Sequence, residues 1–238
     1  MKRNGKKERF FGVITMLLVM ISAAGCRCRS GIGDFTDSET ALIREALNAD
    51  GTAFPKGTMR VLTVCDSADL AVLRAPSSDM SSRALLSDDY RQLCSLMVAT
   101  VTHPSQDGVG IAGPQDGVGI AGPQIGLNRR VVAVQRFDKE PVMNGSRLDH
   151  PFEVYANIRI VWASDSLAVG PEGCLSVPDR RGDVLRSTEI VIEHADINAL
   201  SKDCKEIPIV RDTVSGFTAV IFQHEIDHLD GILYIDRL

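Results

Sequence analysis

The sequence predicts an α+β domain in which mixed and antiparallel sheets surround a central helix near the C-terminus. Apolar side chains recur at helical spacing over residues 85–101 and again over residues 217–229. Between these two segments lie several short runs rich in valine and isoleucine and bounded by turn residues. A helix followed by several strands and a second helix is typical of α+β architecture.

The composition supports a domain with a buried core and argues against several classes of protein. Of the 238 residues, 44% are hydrophobic and 24% are charged, which is an ordinary balance for a globular chain. Aromatic residues make up only 5%, too few to suggest a stacking platform for single-stranded nucleic acid. The net charge of −5 repels phosphate backbones, so no nucleic-acid partner is expected.

Residues 1–25 have the layout of a lipoprotein-type signal peptide. A basic start is followed by an apolar run over residues 10–21 and by the small residues 23–25, directly before Cys26. We therefore expect lipidation at Cys26 and an exported protein anchored to a membrane of the bacterial cell envelope. Simple export with an incidental Cys26 and an uncleaved anchor are the alternatives.

Residues 26–56 are expected to form a tether that carries a short helix, and residues 57–238 the catalytic domain. Thr36 and Glu39 have the spacing of a capping box, and an apolar stripe follows at Ala41, Leu42, Ala46 and Leu47. Asp50 and Gly51 close this segment. A partly ordered linker is the other interpretation.

The elements of the main domain follow in order. Ser87 is the expected cap of the helix that ends near Val101, and Asp88 and Asp89 in its first turn complement the helix dipole. Strands are expected at 130–137, 153–163, 189–197 and 206–210. The final helix should end before Gly231, since glycine suits a helix C-terminus.

A nine-residue sequence, QDGVGIAGP, occurs at 106–114 and again at 115–123. Two short glycine-rich copies bury no core, so this is not a solenoid repeat. The sequence also lacks the spacing of a dinucleotide-binding or P-loop motif.

The strongest chemical signal is His224-Glu225-Ile226-Asp227-His228. Residues i and i+4 share one helix face, so both imidazoles can bind one metal ion, with Glu225 as a base toward bound water. Apolar neighbours suggest a buried helix, where unpaired imidazoles would be costly. The alternative is two histidines on a surface helix.

A catalytic metal site needs a third protein ligand. The ten residues after His228 contain no His, Cys or Glu, although Asp230 and Asp236 stay open as ligands. The best upstream candidate is Cys174, in a short turn between small residues. A buried structural cysteine is the alternative.

Three segments together resemble the peptide deformylase family. The family motif G-x-G-x-A-A-P-Q appears at 117–124, with Gly122 in place of alanine. The motif E-G-C-L-S appears unchanged at 172–176, and H-E-x-x-H at 224–228 is preceded by Gln and followed by Leu-Asp-Gly. The resemblance covers residues 57–238 and implies a peptide deformylase-like fold.

The resemblance implies hydrolysis of the N-formyl group of formylmethionyl peptides, with release of formate. The cofactor would be one divalent metal ion, Fe²⁺, with Zn²⁺ or Ni²⁺ as substitutes. Its implied ligands are Cys174, His224 and His228, with a water in the fourth place. Glu225 would be the general base toward that water. Gln124 and the backbone N–H of Leu175 would form the oxyanion hole.

Further roles follow from the same resemblance. The backbone of Val118 and Gly119 would bind an extended formylated peptide by strand addition. Val220 and Ile221 would line the pocket for the methionine side chain. Arg181 would contact the peptide, with a solvated arginine as an equal alternative.

Glu172 would support the metal site from behind its ligands, with a plain surface carboxylate as the alternative. The repeat leaves two glutamines for the oxyanion role. Gln124 is preferred over Gln115 because the residues after it continue into a strand.

Two other functions stay open on the sequence. One is a metal-dependent peptidase or amidase on the same scaffold. The other is a catalytically inactive, membrane-tethered binding protein. Export is unexpected for a deformylase and would direct it to secreted or scavenged formyl peptides.

Overall fold

The computed structural model describes residues 33–48, 51, 55–103, 117–145 and 147–238. The expected signal peptide, Cys26 and Gln115 lie outside the described residues, as does the first copy of the repeat. Within the described part of the chain, no helix has the length and apolarity needed to cross a bilayer.

Five α-helices occur in the described residues: α1 (Asp37–Asn48), α2 (Ser67–Leu73), α3 (Ser82–Leu85), α4 (Asp88–Val101) and α5 (Gly216–Leu229). Two short 3₁₀ segments cover Gly122–Ile125 and Tyr234–Asp236. The predicted start of α4 is confirmed, because the Ser87 side chain accepts a hydrogen bond from the Tyr90 N–H. The helix predicted over 217–229 is confirmed as α5.

Helix α1 packs on the domain. The predicted capping box is present: Thr36 N–H donates to Glu39 Oε2 (2.7 Å), and Glu39 N–H donates to Thr36 Oγ1 (3.2 Å). Ile43 and Ala46 are buried in the same apolar cluster as α4. The tether boundary at residue 56 is therefore wrong, because burial of this apolar face makes residues 33–48 part of the folded domain.

The strands form two three-stranded sheets and two hairpins, and every described pair is antiparallel. One sheet has the order β1-β2-β5, formed by Gly119–Ala121, Val131–Gln135 and Phe152–Ala156. The other has the order β10-β9-β6, formed by Ile209–Ser215, Glu189–Ala195 and Arg159–Ala163. The hairpins are β3 (Val142–Asn144) with β4 (Arg147–Asp149) and β7 (Leu167–Cys174) with β8 (Val177–Ser187).

The strands in the structure differ from the predicted strands in three places. The run 153–163 is two strands, β5 and β6, separated at Asn157, which has a φ of 53°. The Asn157 amide bonds both the N–H and the carbonyl of Met80, which stabilises the break. The last strand lies at 209–215 rather than 206–210, and the long hairpin β7–β8 was not predicted.

Helix α5 lies in the apolar interior between the two three-stranded sheets. Its apolar side chains, including Ala219, Phe222 and Ile226, pack with Val132 of β2 and Ile192 of β9. Because this helix is buried along most of its length, its polar residues are also inside the domain. The fold therefore brings two histidines and a glutamate into a region from which water is largely excluded.

Candidate metal centre and active site

Three buried side chains form a cluster that could hold one metal ion: Cys174, His224 and His228. Cys174 ends strand β7, and the two histidines lie one turn apart on α5. Their ligand atoms all lie within 4.8 Å of one another, and Cys174 Sγ is 3.2 Å from His228 Nε2. Cys174 is thus next to the pair of histidines, as the sequence led us to expect.

The donor set suits a divalent transition metal. His224 Nδ1 is 2.8 Å from Glu172 Oε2, so this nitrogen carries the proton and Nε2 is left as the ligand atom. One sulfur and two imidazole nitrogens are typical ligands of zinc and iron. The residues therefore fit the metal that the motifs imply.

Glu172 supports the cluster through a buried ionic network. Arg186 donates to both Glu172 oxygens (2.7 and 2.9 Å) and to Asp227 Oδ2 (2.5 Å), and Arg237 donates to both oxygens of Asp227. Burial raises the pKa of Glu172, but the hydrogen bonds from Arg186 and His224 outweigh it and lower that pKa to about 2. Glu172 therefore stays ionised and fixes the orientation of the His224 ring.

Glu225 lies beside the ligands with a free acceptor atom. The side chain is 2% exposed, and its Oε2 has no hydrogen-bond partner among the described residues. Burial raises the pKa of this carboxyl to about 7. A carboxyl with a pKa near neutrality can both take up and return a proton during a reaction.

Strand β1 passes directly against Glu225. A Cβ atom at Gly119 would lie 2.5 Å from Glu225 Oε1, so only glycine fits here without moving the carboxylate. The Val118 carbonyl accepts the Gln135 N–H within the sheet. Since backbone groups alternate along a strand, those of Gly119 point to the open edge of β1. An extended chain could therefore pair with Gly119 at this edge, whereas the Val118 carbonyl is already engaged.

Replacing Gly119 by alanine is expected to lower kcat about 100-fold, because the new methyl group displaces the Glu225 carboxylate by about 1 Å. Steady-state kinetics with the metal content matched to the wild type would measure this. The thermal unfolding midpoint serves as the control for folding. Full activity in a folded Gly119→Ala protein would contradict the close approach.

Gln124 reaches into the metal-ligand cluster from the short 3₁₀ segment after β1. Its Oε1 accepts the Ala121 N–H (2.8 Å), which turns Nε2 toward Cys174 Sγ at 3.5 Å. The side chain is buried, so the amide is held in one orientation. Leu175 follows Cys174 in the hairpin turn and is buried as well. An amide donor and the hairpin turn therefore both lie next to the sulfur.

The turn that carries Gln124 is tightly packed. A Cβ atom at Gly122 would lie 2.7 Å from the carbonyl oxygens of both Leu127 and Arg129. These are backbone atoms, which cannot move aside cheaply. Gly122, which stands in place of the alanine of the family motif, therefore fits the close approach of the chain at this turn.

We expect Gly122→Ala to destabilise the protein by about 1–3 kcal/mol, the usual range for overpacking a buried site. Gly170→Ala is the matched control, because a Cβ there meets no atom within 4 Å. Urea unfolding of both variants would measure the difference. Equal stability of the two variants would show that the turn relaxes freely.

An apolar cavity of about 210 Å³ lies between hairpin β7–β8 and the start of α5. Val220 lines it, together with Phe217, Val184, Arg186 and residues 168–171. Ile221 is completely buried in the core and is not among the residues that line this cavity. Arg181 is exposed on β8 and is not among the lining residues.

Several residues beside the cavity and the metal-ligand cluster were not predicted from the sequence. Phe217 and Val184 come from distant segments that meet only after folding. The Tyr234 ring stacks on the His224 ring, with centroids 6.0 Å apart. Arg186 and Asp227 carry no local signal, because Arg186 pairs with Glu172 on β7 and with Asp227 on α5, both distant from it in the sequence.

The sequence is similar to a protein-family model and to characterised relatives. The family model described as polypeptide deformylase matches residues 60–238. A peptide deformylase from Leptospira biflexa is 34% identical over 167 residues, covering 70% of this chain and 82% of the relative. Peptide deformylase 2 from Gloeobacter violaceus is 36% identical over 167 residues, covering 70% of this chain and 74% of the relative.

The fold is also similar to solved structures of peptide deformylases. The class I type b peptide deformylase from Acinetobacter baumannii, bound to Met-Ala-Ser, matches with a TM-score of 0.58 and 29% identity, covering 76% of this chain and 98% of that one. A structure of the same enzyme bound to actinonin matches with a TM-score of 0.57 and 28% identity, covering 76% and 98%. The match to the family model and to these relatives shows that the chain belongs to the peptide deformylase family.

Proposed function

We propose that this protein hydrolyses the N-formyl group of formylmethionyl peptides and releases formate. The observation that carries the proposal is one buried cluster in which Cys174, His224 and His228 lie beside the Glu225 carboxylate. The structure of the Acinetobacter relative bound to Met-Ala-Ser supports a peptide ligand for this site.

The cluster would hold one divalent metal ion through Cys174 Sγ and the Nε2 atoms of His224 and His228. When bound, such an ion supplies Lewis acidity, which lowers the pKa of water and polarises a carbonyl oxygen. Fe²⁺, Zn²⁺ and Ni²⁺ are all compatible with one thiolate and two imidazoles. Glu172 holds the proton of His224 on Nδ1, so that Nε2 keeps its lone pair for the ion.

The reaction needs one proton acceptor, one proton donor and a site for negative charge. Glu225 takes a proton from the attacking water and later gives a proton to the leaving amine. The Gln124 amide and the Leu175 N–H donate hydrogen bonds to the oxygen of the attacked formyl group as its charge develops. The formyl C–N bond then breaks, and formate and a free amine leave.

The peptide would be held by backbone pairing and by one apolar pocket. The open edge of β1 at Gly119 offers hydrogen bonds to an extended chain. The cavity lined by Val220 and Phe217 suits an unbranched apolar side chain such as methionine. Together they would place the formyl group against Glu225.

A comparison of three substrates tests this function against its alternatives. Formyl-Met-Ala-Ser should release formate, whereas Met-Ala-Ser and acetyl-Met-Ala-Ser should stay intact. Cleavage of the unblocked peptide would favour a metal peptidase. Binding of the formyl peptide without any hydrolysis would favour an inactive binding protein.

We also propose that the protein is an exported lipoprotein anchored through Cys26. The layout of residues 1–25 supports this. Six residues, 27–32, lie between Cys26 and Gly33, which bridges to Met80, so a lipid at Cys26 would be joined to the folded domain by a segment that can span at most about 25 Å. Cys26→Ser should move the protein from the membrane fraction to the soluble one, and retention at the membrane would argue against lipidation.

Export also bears on the choice of metal. An Fe²⁺–thiolate site is more exposed to oxidation outside the cytoplasm, which favours Zn²⁺ as the working ion. Metal analysis of the protein isolated from the cell envelope would test this. A protein that carries iron alone would count against zinc.

A further inference from the structure

The segment 33–48 precedes the residues that the family model matches, and yet it reaches the turn behind the active site. This turn, residues 126–130, follows directly after the 3₁₀ segment that carries Gln124. Two independent contacts join the segment to the turn, one ionic and one apolar.

The ionic contact is made by Arg129, whose side chain is only 8% exposed. Its Nε and Nη2 donate to the two oxygens of Glu39 at 2.6 and 2.8 Å. Nη2 also donates to the Asp34 carbonyl at 2.7 Å, and Nη1 donates to Ser78 Oγ at 3.2 Å. A buried bidentate ion pair of this kind fixes geometry as well as charge.

The apolar contact is made by Leu42. A Cβ atom at Gly126 would lie 3.2 Å from Leu42 Cδ2, so this leucine packs directly on the turn. Gly126 has a φ of 86°, the left-handed conformation that ends the 3₁₀ segment. Helix α1 therefore touches the turn at a position two residues after Gln124 and again five residues after it.

The turn is coupled tightly to Gln124. Gly126 N–H donates to the Pro123 carbonyl (3.1 Å), and Leu127 N–H donates to the Gly122 carbonyl (2.9 Å). The Arg129 carbonyl closely approaches Gly122, which leaves no room for a side chain there. A shift at Arg129 would therefore reach the residues that hold the Gln124 amide.

We propose that α1 is a positioning element for the active site, in which Glu39 and Leu42 act through this turn to hold the Gln124 amide in place. The inference rests on the proposed function, because Gln124 matters only if it donates to the reacting oxygen. An oxyanion donor must be held within about 0.5 Å of its productive position, so a rigid support behind it affects the rate. Neither Glu39 nor Leu42 is among the residues that the proposed function places against the peptide.

The test uses the full chain with two variants and two matched controls on the same helix. Glu39→Gln keeps the shape of the side chain but removes its charge, and the control is Glu45→Gln at an exposed position. Leu42→Ala removes the contact with Gly126, and the control is Leu47→Ala at a position that is 38% exposed. The second variant keeps the test valid if Glu39→Gln does not fold.

Both test variants should lower kcat about tenfold with KM changed by less than about twofold, whereas both controls should match the wild type. Gln124→Ala alone should lower kcat about 100-fold. In a double variant with Gln124→Ala, each test substitution should lower kcat by less than a further factor of about two, because the donor that it positions is already gone. Thermal unfolding midpoints of all variants show how much stability each one loses.

The possible failures are distinguishable. Suppose that Gln124→Ala lowers kcat, but Glu39→Gln and Leu42→Ala each lower kcat by the same factor with and without Gln124→Ala. Then α1 does not act through Gln124, and the inference is overturned. The same conclusion follows if the two variants lower the unfolding midpoint without changing kcat. If Gln124→Ala leaves kcat unchanged, the oxyanion role in the proposed function fails, and the inference falls with it.

Discussion

Replacing Glu225 by glutamine is expected to reduce formate release about 10³-fold, which is within the range that a general acid–base group contributes. The amide has nearly the same shape as the carboxylate but cannot take a proton from water. The three metal ligands are untouched, so the variant should keep its ion. The loss should therefore appear in kcat and not in metal content.

Glu206→Gln is the control for this substitution, because Glu206 is exposed on the loop before β10. Steady-state rates of formate release, normalised to bound metal, would measure both variants. A Glu225→Gln protein with more than about a tenth of the wild-type kcat would assign the proton transfers to another group. In that case the unpartnered oxygen of Glu225 would need a different explanation.

Replacing Cys174 by alanine is expected to weaken metal binding more than about 100-fold, since loss of a residue that merely supports a ligand already costs about 10–100-fold. The sulfur lies 3.2 Å from His228 Nε2, and two nitrogens alone make a poor site. Formate release should fall in parallel with metal content. The protein should still fold, because the cavity left by one sulfur atom is small.

Cys65→Ala is the matched control, because Cys65 is an exposed free cysteine. Metal content after dialysis against a weak chelator, together with the thermal unfolding midpoint with and without added metal, would measure binding directly. Metal should raise the midpoint of the control, because a ligand that binds only the folded state stabilises it. A Cys174→Ala protein that keeps one ion per chain would show that another group completes the ligand set.

The parts of the site that could be predicted from sequence are those encoded by short-range spacing. His224 and His228 lie on one helix face because they are four residues apart, and Glu225 follows from the same motif. The capping box of α1 and the Ser87 N-cap of α4 could also be predicted, because each depends on residues within one turn. No local spacing connects Cys174 or Gln124 to the histidines. Cys174 came from the search for a third ligand upstream of them and was then matched by a family motif, whereas Gln124 came from the likeness to the family alone.

The parts that could not be predicted depend on long-range packing. The β8 sequence contains proline, glycine and several charges, so its strand forms only because it pairs with β7 and buries Val184 and Arg186. The ionic network through Asp227 and Arg237 joins residues with no sequence relation to Glu172. The burial of Ile221 and the packing of α1 likewise follow from neighbours that the linear pattern does not show.

The most direct test of the central claim is a metal titration of formate release. The purified protein is stripped of metal, loaded stepwise with Fe²⁺ or Zn²⁺ under anaerobic conditions, and assayed with formyl-Met-Ala-Ser while bound metal is measured in parallel. We predict that the rate rises in proportion to bound metal and levels off at one ion per chain, while Glu225→Gln binds the ion and stays inactive. A folded protein that binds one ion and releases no formate would contradict the proposed function.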